Sequence, residues 1–444
     1  MNVTVENLAA CRRLVRVEVE AASVDSAFEQ ITSEFQREAR FPGFRPGKAP
    51  RDLVSRTYAK QIEEEVKRKL ISDNYRKALE EQKLRVVGNP DIEEIQFSRG
   101  QPLQFAATVE IAPDFELPDY KGIPVRRENQ AVTEADVERA FDILRDRQAT
   151  YKDVARPVQM GDFVVVNYSG TSEGKALTDF APTAKGITQQ KNFWLHVASP
   201  DSFIPGFTEQ LIGAQAGEHR TVTVTFPADF VASQLAGKTG VYDVEIVQVK
   251  EKALPELNDT LATSYGAENL EKLREGVRRD LQNELEFKQR RSVRNQIVRW
   301  LLDKVQFELP ESVVLSETRN VVYDIVRENQ ERGVPKEAIN EQKDEIYNVA
   351  SNSAKERVRA SFMLGRIAER EKIRVTDEEL SQRIVHLAHQ NQIKPEKLVK
   401  QLRERNGLGQ IHEQILTAKV LDFLQLNAKV EEVPGAPANP PQPS

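Results

Sequence analysis

The stretch Gly43-Phe44-Arg45-Pro46-Gly47-Lys48-Ala49-Pro50 concentrates residue types that recognise anions. Its glycines and prolines predict a tight exposed loop between two helices. Between residues 37 and 60, seven basic side chains (Arg37, Arg40, Arg45, Lys48, Arg51, Arg56, Lys60) stand against Glu38 and Asp52, a local charge of +5. Arginine offers a planar fork of donors to phosphate or carboxylate, and an aromatic beside it offers a stacking face. Such a tip suits docking on RNA or on an acidic protein surface, whereas an ordinary solvated loop is the plainer reading.

Other chemistry is sparse. The sequence contains no Walker A loop, no dinucleotide fingerprint and no HExxH, so no metal or cofactor is expected. His386 and His389 stand three residues apart on a predicted helix with no third ligand nearby, a surface pair rather than a metal site. Cys11, the one cysteine, rules out a disulfide framework; Arg12 and Arg13 beside it would lower its pKa, against the plainer reading of a half-buried thiol. Gly407-Leu408-Gly409 reads as a turn between helices.

The elements that must position these residues follow from pattern and composition. At 444 residues, a prior of roughly 150 per domain gives about three domains. The net charge of −6, from 63 basic and 69 acidic residues, argues against a chain coated in one sign for nucleic acid or membrane. Neither a signal-peptide pattern nor a long apolar run is evident, so a soluble, cytoplasmic protein is expected.

Residues 1–112 read as a small α+β domain. The alternation Val15-Arg16-Val17-Glu18-Val19 predicts a strand, a helix carries Phe28, Ile31 and Phe35, and one long helix spans about 51–82. Two strands, Val86–Phe97 and Leu103–Ile111, close it. Residues 113–154 form a connector whose helix starts at Thr133 with a capping box to Asp136 and runs to about Tyr151. In 155–250 only 16 of 96 residues are charged and nine of the 21 glycines collect, with Val-rich strands between turns, which predicts an antiparallel β domain.

Residues 251–430 hold six glycines and four prolines and show helical periodicity throughout. Pro310 opens one helix, Pro335 another that continues through Phe362, and Thr376 caps a third with Glu379. The segment 431–444 is expected to be a disordered tail, since its last twelve residues include five prolines and no charge.

The loop Gly43-Phe44-Arg45-x-Gly47-Lys48-x-Pro50 resembles the ribosome-docking signature of the trigger factor family, bacterial chaperones at the polypeptide exit tunnel. The order of segments resembles that family over almost the whole chain, including Leu254-Pro255-Glu256-Leu257 at the start of the helical part. The resemblance implies a multi-domain α+β fold: a docking domain, then an FKBP-like antiparallel β domain inserted before an all-helical C-terminal domain. It implies that Phe44 and Arg45, framed by Gly43 and Gly47 and supported by Lys48, touch the exit-tunnel protein and rRNA. Pro46 stands where the family usually carries a basic residue.

Within 155–250, Asn167-Tyr168-Ser169-Gly170 and Tyr242-Asp243-Val244-Glu245 resemble the first and last pocket strands of FKBP-type prolyl isomerases, and Phe203-Ile204-Pro205-Gly206-Phe207 resembles their signature of a backbone N–H and an aromatic floor. That likeness implies Tyr168, Phe193, Phe203, Phe207 and Tyr242 as pocket walls and the Ile204 N–H as donor to a substrate carbonyl. An X–Pro amide isomerises over about 18–20 kcal/mol because resonance must be broken, and a dry aromatic pocket favours the twisted amide without nucleophile or metal. Three departures are expected to slow or alter catalysis. Thr178 replaces an aspartate, with Asp179 one position late; Val231-Ala232 lacks a flap tyrosine; and the stretch from Leu177 to Phe203 is long. The expected partners are the ribosome and nascent or unfolded polypeptides, with no membrane, and with room for a homodimer off the ribosome. The alternative is a free cytoplasmic isomerase whose helices dimerise it.

Overall fold

The computed structural model describes residues 1–38, 44–45, 47–182, 184–198, 204–228, 230, 232, 234–404 and 407–434. The chain forms two compact units: Met1–Asn129 with the chain from Gln289 onward, and Gln130–Lys288.

The first segment contains β1 (Asn2–Ala9), β2 (Arg12–Val19), α1 (Ala21–Glu38), α2 (Arg51–Thr57), α3 (Ala59–Glu81), β3 (Asp91–Gln96), β4 (Leu103–Glu110) and β5 (Pro124–Asn129). The first four strands make an antiparallel sheet in the order β1-β2-β4-β3. Val15, Val17 and Val19 point from β2 into a core shared with Phe28 and Ile31 of α1 and Ile62 and Val66 of α3. The sheet edge β1 has no counterpart among the expected strands, because its residues are mostly exposed and its alternation is weak. The single helix expected over 51–82 is two helices. They join at Tyr58, whose ring packs 5.8 Å from that of Phe35 and holds the corner.

The second unit contains α4 (Glu134–Arg147), β6 (Thr150–Asp153), β7 (Phe163–Ser172), β8 (Lys175–Ala176), α5 (Leu177–Phe180), α6 (Lys185–Thr188), β9 (Gln189–His196), β10 (His219–Thr225), β11 (Thr239–Ala253), α7 (Asp259–Ser264) and the start of α8 (Leu270–Lys304). The capping box at α4 forms: Thr133 N–H donates to the Asp136 carboxylate at 2.8 Å, and Asp136 N–H donates back to Thr133 Oγ1 at 3.3 Å. The helix ends at Arg147, short of Tyr151, because residues 150–153 are drawn into the sheet as β6. Six antiparallel strands follow the order β10-β11-β7-β8, with β6 added to β11 and β9 to β7. Thr150 pairs with Ala253, so the chain enters and leaves the β region side by side. Val137 and Phe141 of α4 pack with Ala262 and Leu273 in a smaller core of their own.

The remaining elements are α9 (Glu311–Glu331), α10 (Lys336–Glu341), α11 (Lys343–Arg370), α12 (Asp377–Gln390), α13 (Pro395–Glu404), α14 (Gly407–Leu426) and β12 (Lys429–Pro434). Residues assigned by sequence to a connector are core here: Tyr120, Ile123 and Val125 are buried with Val293 and Ile297 of α8, Ile367 of α11 and Leu424 of α14. The expected tail also differs. Residues 429–434 form β12, which pairs in parallel with β5, Val430 opposite Val125; residues 435–444 lie outside the described set. The helix expected from Pro335 is split at Gln342 into α10 and α11. Thr376 caps α12, with Glu379 N–H donating to its hydroxyl at 3.2 Å and its own N–H donating to the Glu379 carboxylate at 2.8 Å. Among the described residues no helix is long and apolar enough to cross a membrane.

Candidate active site and docking loop

The valine-rich strand β7 turns Val164, Val166 and Tyr168 to one face, where they join the core of the β region. Tyr242 reaches the same core from β11, Phe193 from β9, and Phe207 from the start of a 3-10 turn at Thr208–Leu211. The four rings meet edge to face. Tyr168 lies 5.9 Å from Phe193, 5.9 Å from Phe207 and 6.0 Å from Tyr242, and Phe207 lies 5.1 Å from Tyr242. Ile204 is buried in the same core, and its carbonyl accepts the Phe207 N–H at 3.0 Å. The structure thus brings together five of the six residues named from sequence; Phe203 lies outside the described residues.

The phenol of Tyr168 donates to the carbonyl of Gly186, and that of Tyr242 donates to the carbonyl of Ile187 at 3.0 Å. Burial pushes both phenol pKa values well up, and for Tyr242 the neighbouring Tyr168 adds to it. Both therefore stay protonated donors at neutral pH. Thr178 is half-buried and Asp179 is exposed. Sequence reasoning missed what makes room for Tyr242. A Cβ at Gly170 would stand 2.7 Å from Tyr242 Cε1 and 2.5 Å from Leu177 Cδ1. The signal was present: a glycine inside an apolar strand often marks a close approach.

In the loop after α1, the described residues next to α2 are pinned to α1 and the described tip residues are exposed. Ala49 is buried, and its carbonyl accepts Gln36 Nε2 of α1 at 2.7 Å. Arg51 donates to the Glu29 carbonyl at 3.2 Å, tying the start of α2 to α1. Lys48 N–H closes a turn on the Arg45 carbonyl at 2.9 Å, and Gly47 sits at φ +80°, where a side chain would be strained. Phe44 remains 42% exposed, and Arg45 and Lys48 are exposed beside it. Gly43 and Pro46 lie outside the described residues.

The lesser candidates resolve plainly. Cys11 is buried, its thiol donates to the Glu308 carbonyl at 3.2 Å, and burial raises its pKa, outweighing Arg13. His386 and His389 are exposed on α12. Gly407-Leu408-Gly409, expected as a turn between helices, is instead the first turn of α14, where Gly407 lies against Leu402 of α13 with no room for a Cβ.

Residues 1–144 match the family model described as bacterial trigger factor protein (TF), residues 269–425 match its C-terminus, and residues 154–247 match the FKBP-type peptidyl-prolyl cis-trans isomerase model. The trigger factor of Opitutus terrae is 36% identical over 436 residues, covering 98% of this chain and 99% of its own. The chain belongs to the trigger factor family. A second relative, the trigger factor of Caldicellulosiruptor bescii, is 30% identical, with 97% of each chain covered. A solved structure from work on promiscuous substrate recognition in folding and assembly by the trigger factor chaperone aligns at a TM-score of 0.44 and 20% identity, over 96% of this chain and 99% of that one. This member of the trigger factor family is a chaperone with an FKBP-type peptidyl-prolyl cis-trans isomerase domain. Its architecture is the expected one, an N-terminal α+β part, a central FKBP-type β region and a helical C-terminal part.

Proposed function

We propose that this chaperone docks on the ribosome through Phe44, Arg45 and Lys48, holds nascent chains passively on its helical part, and isomerises X–Pro bonds at the ring cluster of the β region. The observation that carries docking is the exposed Phe44–Arg45 tip on roots fixed by Gln36 and Arg51. The anchored residues 49–51 keep the loop at the end of α1, so the exposed Phe44 and Arg45 are offered to a partner at a fixed place. Arg45 meets phosphate or carboxylate as a fork, and Phe44 supplies apolar area beside it. Sedimentation with ribosomes tests this.

For client holding, a cavity of about 1220 Å³ among α8, α9, α11 and α14 is lined by apolar Val298, Tyr323, Phe362 and Leu421 set among charged residues such as Glu317 and Arg357. Tyr323 is 68% exposed, and Leu315, Tyr347 and Val349 are exposed on the same helices. Exposed apolar side chains set among polar ones suit reversible binding of unfolded chains.

For isomerisation, Tyr168, Phe193, Phe207 and Tyr242 form an apolar wall around a proline ring, and the Ile204 N–H donates to a substrate carbonyl. The twisted amide has lost resonance and charge separation, so water-excluding rings favour it over the planar amide. The whole cycle uses side-chain packing and one hydrogen bond, with no covalent step.

A further inference from the structure

The hydroxyls of Tyr168 and Tyr242 add nothing to an aromatic wall that phenylalanine would not supply. Both donate to one short stretch of backbone, the consecutive carbonyls of Gly186 and Ile187. That stretch ends the strap 177–188, which carries α5 and α6 between β8 and β9. Leu177 and Ala181 of the strap are buried in the core, with Phe180, Ala184 and Ile187 packed against it. Among its described residues the strap's backbone bonds include Ala181 N–H to Leu177, Ala184 N–H to Ala181, and Ile187 and Thr188 N–H to Ala184. Thr188, at its end, is 1% exposed, and its hydroxyl has no partner among the described residues. The strap closes over apolar surface with a hydroxyl that no described residue satisfies, which works against its closure. The two phenols oppose that loss at the neighbouring peptides. Five residues beyond Thr188 the same backbone delivers Phe193 to the ring cluster.

We infer that Tyr168 and Tyr242 are positioning residues through their hydroxyls: they latch the strap that leads into Phe193, so that the ring wall is set before an X–Pro peptide arrives. The role rests on the ring cluster being the isomerase site. A wall ordered in advance removes an ordering cost from substrate binding, so the latch acts on KM more than on kcat. Each hydroxyl is a single buried hydrogen bond, which sets the scale of the change at about two- to tenfold.

The test uses the full chain with Tyr168→Phe, Tyr242→Phe and the double variant, which keep every ring. Steady-state isomerisation of a short X–Pro peptide is followed by a protease-coupled assay, and amide exchange is read at Gly186–Gln190. The latch predicts KM raised about two- to tenfold in each single variant and further in the double, kcat moving less than KM, and faster exchange across the strap. A bond that only adds stability lowers the melting temperature and leaves KM alone, so wild-type KM in the double variant overturns the latch. Phe207→Ala separates the two levels. If it is inactive while the tyrosine variants keep wild-type KM, the latch alone fails. If it is fully active, the ring cluster is not the site and the latch fails with it.

Discussion

The Glu110 carboxylate, at the last residue of β4, accepts the backbone N–H of Ser312 at 2.9 Å and also its hydroxyl, in the first turn of α9. The residue at the N-cap position, Pro310, makes no side-chain cap. A strand of the N-terminal sheet thus satisfies the start of a helix far along the chain, and its negative charge suits the positive end of that helix.

Glu110→Ala is expected to cost about 1 kcal/mol of stability, the usual worth of a cap. Urea unfolding followed by far-UV circular dichroism measures it. Gly88→Ala should act at the same place, since a Cβ there would stand 2.8 Å from Ser312 Oγ on a backbone at φ +88°. An unchanged midpoint in both variants contradicts the cap.

Gly170→Ala is expected to lose most isomerase activity and about 1–3 kcal/mol of stability through overpacking. The new methyl would press on Tyr242 and Leu177 at 2.7 Å and 2.5 Å, displacing a wall of the ring cluster. The protease-coupled assay decides; wild-type activity would mean that Tyr242 does not shape the site.

Holding of unfolded chains should survive removal of the β region. Because Thr150 pairs directly with Ala253, a short Gly/Ser linker closes the gap left by the residues between them. Light scattering of a denatured client diluted into buffer should be suppressed within a few-fold of the intact chain, with or without ATP. Complete loss in a variant that remains folded places client binding in the β region.

The Asp162 carboxylate accepts two bonds from Arg156, at 2.6 and 2.9 Å, and the Gln159 N–H at 2.8 Å. Burial alone would raise its pKa, but these donors outweigh burial and hold it below the usual carboxylate value. With the folded pKa depressed, its stabilisation is full above the unfolded value of about 4 and is lost as pH falls through the folded one. Asp162→Asn should lower the melting temperature at pH 7, with the gap narrowing once pH drops below about 4. An equal gap at both pH values would assign the effect to shape rather than charge.

Local features were legible in the sequence because their causes are local. The capping boxes at Thr133 and Thr376, the loop at Phe44 and the inward alternation ending at Tyr168 each follow from residues a few positions apart. Pairings across the chain were not. β12 is short and precedes a proline-rich end, so composition reads it as tail, yet β5 supplies a partner for its whole length. Tyr120 and Ile123 sit among prolines and read as connector until helices from the far end cover them. The clearance at Gly170 and the carbonyls at Gly186 and Ile187 carry no side chain to advertise them.

Docking through the Phe44–Arg45 tip is tested most directly by sedimenting the full chain with ribosomes, wild type beside Phe44→Ala/Arg45→Ala. The tip is exposed and its roots are held by other residues, so the double variant should keep its circular dichroism and its isomerase activity. It should leave the ribosome pellet, and the wild type should pellet less as salt is raised. A double variant that pellets like the wild type, or a wild type that stays in the supernatant at low salt, would contradict docking and leave a chaperone that works free of the ribosome.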